Sequence, residues 1–258
     1  VRVKMLMKMP VIGQSIKQRV CDKLTEALGG NFYEVIIGGA ALNREIEELL
    51  HDIGFRYTVG YGATECAPII TYNDYTRQVV GSCGRNVIHQ ELMIDSPDPV
   101  NIPGEILTRG LNVMLGYYKN EEATATTLDK DGWYHTGDLG TMDAEGNVFI
   151  KGRSKNMLLG ANGQNIYPEE IEDKIYNLPF VAECLVVQKG EKLEALIYPD
   201  PEQTKEMTQE EIEQLMEKNR KEVNPHLPSY AQIASIRIMK EEFEKTPKKS
   251  IKRFLYTN

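Results

Sequence analysis

Between Phe32 and Gly60 the chain reads FYEVIIGGAALNREIEELLHDIGFRYTVG, and this succession leaves few folds open. FYEVII predicts a buried strand. NREIEELLHDIG then places Asn43 where it can cap a helix whose Ile46, Leu49, Leu50 and Ile53 share one face, and YTVG is a second buried strand. Strand, helix and strand within about thirty residues is the unit of a parallel sheet, and ligands of such sheets gather at the carboxyl ends of the strands. The turns at those two ends, GGAAL and YGATE, both carry glycine. Upstream, Ile12, Ile16, Val20, Leu24 and Leu28 recur at every fourth position and Gly29-Gly30 follows, which predicts an amphipathic helix with a glycine stop.

From Thr76 to Arg153 the pattern changes to short runs split by turns: VVGSCG, HQELMID, GEILTRG, GWYHTGDLG and AEGNVFIKG. The DG, EGN and PG punctuation is that of antiparallel hairpins. Beyond Arg153 come a helix (PEEIEDKIYNL), two strands (AECLVVQ, EALIYP), a second helix (TQEEIEQLMEKNRKEV) and a third strand (IASIRIM), with Thr208 and Glu211 spaced as a capping box. The expected fold class is therefore α/β. It comprises part of a parallel αβ layer (1–75), a small antiparallel β subdomain (76–153) and a separate small α+β carboxyl-terminal domain (156–258).

Acidic residues outnumber basic ones by 38 to 30, and no dense basic block precedes the tail, so nucleic acid is not expected as a partner. Cys21, Cys66, Cys83 and Cys184 lack CxxC spacing and the histidines are scattered, which predicts neither a disulfide framework nor a zinc site and suits a reduced, cytoplasmic protein. No apolar run has the length of a membrane span. The sequence begins at Val1, which allows either processing or a piece of something longer.

Four motifs invite chemistry, and each also has a plainer reading. GGAAL offers exposed backbone amides or is simply a tight turn. In YGATE, Thr64 offers a hydroxyl and Glu65 a hard oxygen ligand for magnesium carrying phosphates; the same residues suit a helix start with Thr64 as cap. In HTGDLG, Asp138 sits between glycines after a strand, placed either to accept two ribose hydroxyl protons or to make an aspartate turn. GRSKNML puts Arg153 and Lys155 at a strand end, as ligand contacts or as solvated charges. His135 and Trp133 read as structural.

Taken in order, GGAAL, YGATE, GEILTRGLNVMLGYYKN, DGWYHTGDLG, GRSKNMLLGANGQNIYPEEIE, LPSY and KTPKKSIKR give the chain a clear likeness. It resembles the adenylate-forming superfamily of acyl-CoA synthetases, luciferases and peptide-synthetase adenylation domains, and within it the long-chain fatty acid CoA ligases. The resemblance implies that Gly39, Ala40, Tyr61 and Gly62 flank adenine, that Thr64 handles phosphate, that Glu65 holds magnesium, and that Asp138 and Arg153 clasp the ribose. It implies ATP and AMP as ligands, with a fatty acid and coenzyme A as co-substrates. It also makes Lys155 the hinge of a mobile small domain, 156–258, following the later part of a large domain, 1–153.

Two departures stand beside the likeness. The family's glycine-, serine- and threonine-rich phosphate loop has no counterpart before GGAAL. The expectation is therefore a carboxyl-terminal portion of a larger ligase, inactive by itself and lacking its amino-terminal half, with peripheral membrane association left open for the longer protein; a ligase of another acid or to acyl-carrier protein, or a non-catalytic AMP-binding module, are the alternatives. In the tail, the family's lysine of T-P-x-x-K-[IL], whose ammonium bridges the acyl carboxylate and the α-phosphate, falls on Ser250. Lys249 after a one-residue slip is the preferred replacement, Lys252 or an impaired adenylation are the alternatives, and Lys248 reads as solvated.

Overall fold

The computed structural model describes residues 13–247 and 249–257, so Ile12 of the predicted first helix lies outside it. The chain divides into two compact units, the break falling between Ile150 and Lys151.

The first unit opens with α1 (Gly13–Ala27), ended by Gly29 and Gly30 at φ 93° and 77°. A strand β1 (Val35–Ile37), helix α2 (Arg44–Asp52) and strand β2 (Tyr57–Val59) follow, and the two strands pair in parallel, Val35 with Tyr57 through Ile37 with Val59. Asn43 caps α2, its side chain accepting from the Ile46 amide at 3.2 Å. Ile53, Phe55 and Tyr57 form a core onto which Ile16, Val20, Leu49 and Leu50 pack. The helical faces are narrower than their periodicity predicts: Ile46 is 51% exposed and Leu28 57%, and Leu24 is also exposed. Spacing defines a stripe on a helix, but only neighbours decide how much of that stripe is covered.

The chain then forms a small sheet from β3 (Tyr61–Gly62), β4 (Ile69–Tyr72) and β5 (Arg85–Asn86), all antiparallel. VVGSCG, expected as a strand, runs instead as turn and irregular backbone ahead of β5. Strands β6 (Gln90–Asp95) and β7 (Gly104–Gly110), helix α3 (Glu121–Thr127), and strands β8 (Tyr134–Met142) and β9 (Val148–Arg153) complete this region. The four strands form one sheet in the order β6-β7-β8-β9, the antiparallel layer that the hairpin punctuation predicts.

The second unit adds a short hairpin of β10 (Leu158–Leu159) and β11 (Asn165–Ile166), then helix α4 (Pro168–Tyr176). Next come β12 (Val181–Lys189), β13 (Lys192–Pro199), a short α5 (Pro201–Thr204), α6 (Gln209–Val223) and β14 (Ile233–Ile238). Its sheet runs β12-β13-β14, antiparallel and then parallel. One face buries Cys184, Val186, Ala195 and Ile197 with Ile171, Ile175 and Met216 of the helices. The other buries Leu185, Val187 and Leu196 against Phe243, with Ile251 and Tyr256 of the tail packed on them. Thr208 and Glu211 form both arms of the capping box of α6. The mixed α/β class and its internal order agree with the sequence reading.

Candidate functional site

Because β1 and β2 are parallel, they deliver their following turns to the same end of the pair. The Gly60 amide donates to the Ile37 carbonyl at 2.9 Å, carrying the ladder past both strands. Gly38 faces this contact closely, since a Cβ there would stand 3.1 Å from the Gly60 oxygen. Gly39, at φ 82°, and Ala40 are exposed, so the turn presents backbone to solvent at the expected place.

YGATE is a hairpin connection. Its loop is a single 3-10 turn, Thr64–Cys66, followed by Ala67 in the left-handed region at φ 56°. The Ala63 amide donates to the Pro68 carbonyl at 2.8 Å, and the strands approach so closely that a Cβ on Gly62 would lie 2.0 Å from that same oxygen. Cys66 plugs the loop into a core with Ile70 and Tyr134. Thr64 begins the 3-10 turn without capping it, and its side chain is exposed. Glu65 is half-buried and oriented from two sides: the Tyr117 hydroxyl donates to Oε1 at 2.8 Å, and the Met114 amide donates to the Glu65 carbonyl at 2.7 Å. Burial, reinforced by the hydrogen bond to Glu65, raises the Tyr117 phenol above its ordinary pKa. Burial and then the Glu65 charge push the Cys66 thiol up to about 11. Tyr117 therefore remains a neutral donor to this carboxylate, and Cys66 a neutral thiol, at physiological pH. Tyr117 lies in the GYYKN run but carries no motif signature of its own, and sequence reasoning missed it.

Asp138 is not in a turn after a strand, as HTGDLG suggested, but inside β8. Glu105 pairs with Leu139 and Leu107 with His135, so Thr136, Gly137 and Asp138 together oppose Ile106 alone. The result is a bulge. Gly137 takes φ 69° and donates to Glu105 Oε1 at 2.8 Å, while the Thr136 hydroxyl donates to the Ile106 carbonyl at 2.8 Å. Bulges re-aim side chains, and here the Asp138 carboxylate meets Tyr61, whose hydroxyl donates to Oδ2 at 2.7 Å across 77 positions of sequence. His135 and Trp133, read as structural, are held by neighbours: His135 Nδ1 lies 2.9 Å from Glu105 Oε2, and the Arg109 guanidinium stacks 4.6 Å above the Trp133 ring.

The remaining predicted residues belong to the second unit. Arg153 ends β9, and Lys155 is central in the 3-10 turn Ser154–Asn156; both are exposed. Lys249 occupies a tight turn, itself at φ 61°, with its amide donating to the Thr246 carbonyl at 2.8 Å and the Thr246 amide to the Ser250 carbonyl at 2.8 Å. Its side chain is exposed, whereas Lys252 pairs with Glu244 at 3.2 Å. Lys248 lies outside the described residues. Among the described residues no group of three or more His, Cys, Asp or Glu can hold a metal. A single fixed carboxylate such as Glu65 suits magnesium, which keeps waters and phosphate oxygens as its other ligands.

The chain as a whole has matches among known proteins. A family model described as AMP-binding enzyme matches residues 2–118, and one described as AMP-binding enzyme C-terminal domain matches residues 155–257. The chain belongs to the AMP-binding enzyme family. That family falls within the adenylate-forming superfamily that the chain's motifs resemble. A long-chain-fatty-acid–CoA ligase FadD15 of Mycobacterium bovis is 35% identical over 184 residues, 71% of this chain and 30% of the relative. A feruloyl-CoA synthase of an Amycolatopsis species is 34% identical over 176 residues, 64% of this chain and 35% of the relative. The ATP-bound crystal structure of the RpMatB-BxBclM chimera B1 superposes with a TM-score of 0.74 at 25% identity, covering 94% of this chain and 49% of that one. The chain thus spans about a third of the length of these curated relatives and about half of that structure.

Proposed function

We propose that this chain is the later portion of an AMP-forming acid–CoA ligase, and that its first unit holds one wall of the nucleotide site. The observation that carries this reading is the Tyr61–Asp138 hydrogen bond, 2.7 Å long, which joins two motifs that the reading assigns to one ligand. In the proposal, the Gly39-Ala40 backbone and Tyr61-Gly62 flank adenine. Asp138 accepts from the ribose hydroxyls, and Arg153 is assigned to the same sugar. Thr64 donates to phosphate.

The reaction needs two steps because a carboxylate is a poor electrophile. A carboxylate oxygen attacks the α-phosphorus of ATP and pyrophosphate leaves, giving an acyl-adenylate. The thiolate of coenzyme A then attacks the acyl carbonyl and AMP leaves. Negative charge grows at the α-phosphate in the first step, and the exposed Lys249 ammonium is assigned to stabilise it. Glu65, fixed by Tyr117, would hold magnesium, which when bound neutralises charge on the phosphates. Lys155 is assigned as the hinge that exchanges the two steps. The acid is assigned as a long-chain fatty acid, on the sequence resemblance and the FadD15 relative; the feruloyl-CoA synthase, of comparable identity, supports an aromatic acid as the second reading.

The test uses the longer protein that carries this chain, assayed for acid-dependent ATP–pyrophosphate exchange against a panel of fatty and aromatic acids. Exchange with none of them refutes the ligase reading. The isolated 258-residue chain is expected to release no pyrophosphate, because the amide cradle for the β- and γ-phosphates is not among its motifs. Acid-dependent release by that chain refutes its assignment as a portion. Lys249→Ala is expected to abolish exchange while Lys252→Ala retains it; the reverse would move the cation to Lys252.

A further inference from the structure

The turn that carries Lys249 is fastened at both ends to one strand, and the fastening on its far side involves two charged residues that have no role in the chemistry above. Arg253 follows the turn and is largely buried, its side chain 14% exposed. Its Nη2 donates to Glu172 Oε1 at 2.7 Å and Oε2 at 2.8 Å, and its Nη1 donates to the Val186 carbonyl at 2.7 Å. The Val186 amide donates to Glu172 Oε1, also at 2.7 Å. Val186 lies on β12, an edge strand of its sheet, so Glu172 and Arg253 take up both backbone groups of one edge residue. On the near side, Lys245 pairs with Glu183 of the same strand, and the Phe243 amide donates to Glu183 Oε2 at 3.0 Å. Between the two ties, Lys245 and Ile251 form an antiparallel bridge that closes the loop.

Both ties are short and charge-assisted, but they differ in what they cost when broken. Lys245 is half-buried, its side chain 29% exposed, so its charge keeps more of its hydration than that of Arg253. In the Arg253–Glu172 pair, burial pushes the Glu172 carboxyl up while the guanidinium pulls it down, and removing either partner strands a buried charge.

We propose that Arg253, held by Glu172, is a positioning residue that locks the Thr246–Ile251 turn onto the second unit and so delivers Lys249 as a rigid cationic arm. The proposal deepens the ligase reading and rests on it for the role of Lys249; the lock itself stands on the geometry alone. A long flexible lysine loses much of its electrostatic benefit if its backbone wanders, so fixing the base of the arm selectively serves the step that needs the cation.

The experiment has two arms and uses Arg253→Lys, Arg253→Met and the double variant Glu172→Gln/Arg253→Met, which removes both charges and so avoids a stranded one. In the first arm, hydrogen exchange is followed at the amides of Thr246, Lys249 and Lys252, which donate within the turn and its base, and at the amides of β13 as an internal reference. In the double variant the turn amides are expected to exchange about ten-fold or more faster while those of β13 stay within about two-fold of wild type. Arg253→Lys is expected to retain part of the protection. A parallel rise at both places, or no rise at the turn, overturns the lock.

In the second arm, the longer protein carrying the double variant is assayed for acyl-adenylate formation and, separately, for thioester formation from preformed acyl-adenylate. Adenylation is expected to fall about ten-fold or more with thioesterification little changed, and equal loss of both overturns the positioning role. If the unsubstituted longer protein lacks acid-dependent exchange, the ligase reading fails, while the exchange data still decide the lock.

Discussion

Replacing Gly62 by alanine tests the geometry of the YGATE hairpin directly. The added Cβ would stand 2.0 Å from the Pro68 oxygen, 2.8 Å from the Pro68 carbonyl carbon and 3.1 Å from Ile69 Cα. All three are backbone atoms of the facing strand, so no side chain can rotate away. Relief requires the strands to separate by an ångström or so, which breaks the 2.8 Å bond from the Ala63 amide to Pro68. One net backbone hydrogen bond is worth about 1 kcal/mol, and forcing extra volume into a packed site costs about 1–3 kcal/mol. A total near 2–4 kcal/mol shifts the melting temperature of a unit of this size by about 5–15 °C. The single tryptophan, Trp133, lies in the first unit and reports its unfolding without interference from the second. Gly39→Ala is the control: its φ is 82° but nothing lies within 4 Å of the new Cβ, so only the left-handed backbone penalty of about 1–2 kcal/mol applies. If Gly62→Ala melts within about 2 °C of the parent chain, or is less destabilised than Gly39→Ala, the close approach of these strands is refuted.

Gly152→Ala is expected to cost about 1–3 kcal/mol, because Gly152 sits at φ 155° and its Cβ would come within 2.6 Å of Glu169 Oε2; a Glu169→Ala background should remove the clash but not the backbone penalty, as seen in thermal denaturation. Thr208→Ala should destabilise the second unit by about 1 kcal/mol through loss of the α6 cap, measured by urea unfolding. The Thr208 amide, then its hydroxyl, hold the Glu211 carboxyl below its usual pKa, so the contribution of this box is present above the unfolded-state pKa and fades as pH falls through the folded one. In the longer protein, Glu65→Gln should keep the fold and the Tyr117 contact yet slow adenylation by about a hundred-fold at limiting magnesium; an unchanged rate would remove Glu65 from metal binding.

Much of the fold was legible because its signals are local. Asn43 and the Thr208–Glu211 box are read from residues three positions apart, and the αβ unit follows from periodicity within one stretch. The bulge at Thr136–Asp138 was not legible. Glycines on both sides of an aspartate look like a turn, and only the register of β8 against β7, some thirty positions earlier in the chain, shows that the strand continues through them. Pairs such as Tyr117–Glu65 and Arg253–Glu172, 52 and 81 positions apart, have the same origin: folding chose the partner, and neither residue carries a local pattern that announces it. Ile46 and Leu28 erred in the opposite sense, since their spacing is helical and apolar but their outward side meets too few neighbours for burial.

The side chains along β12 bear on the solubility of the second unit. A strand at the margin of a sheet displays backbone donors and acceptors that another chain can pair with, and this is a common route to association. Here the Cys184 carbonyl accepts from the Tyr176 hydroxyl at 3.4 Å, and both groups of Val186 are taken by Glu172 and Arg253. The core-facing composition of this strand, CLVV, would otherwise be a strong template for self-assembly. The arginine and glutamate therefore act as a side-chain surrogate for a fourth strand, and a chain that loses them would expose an adhesive margin whose effect grows with protein concentration.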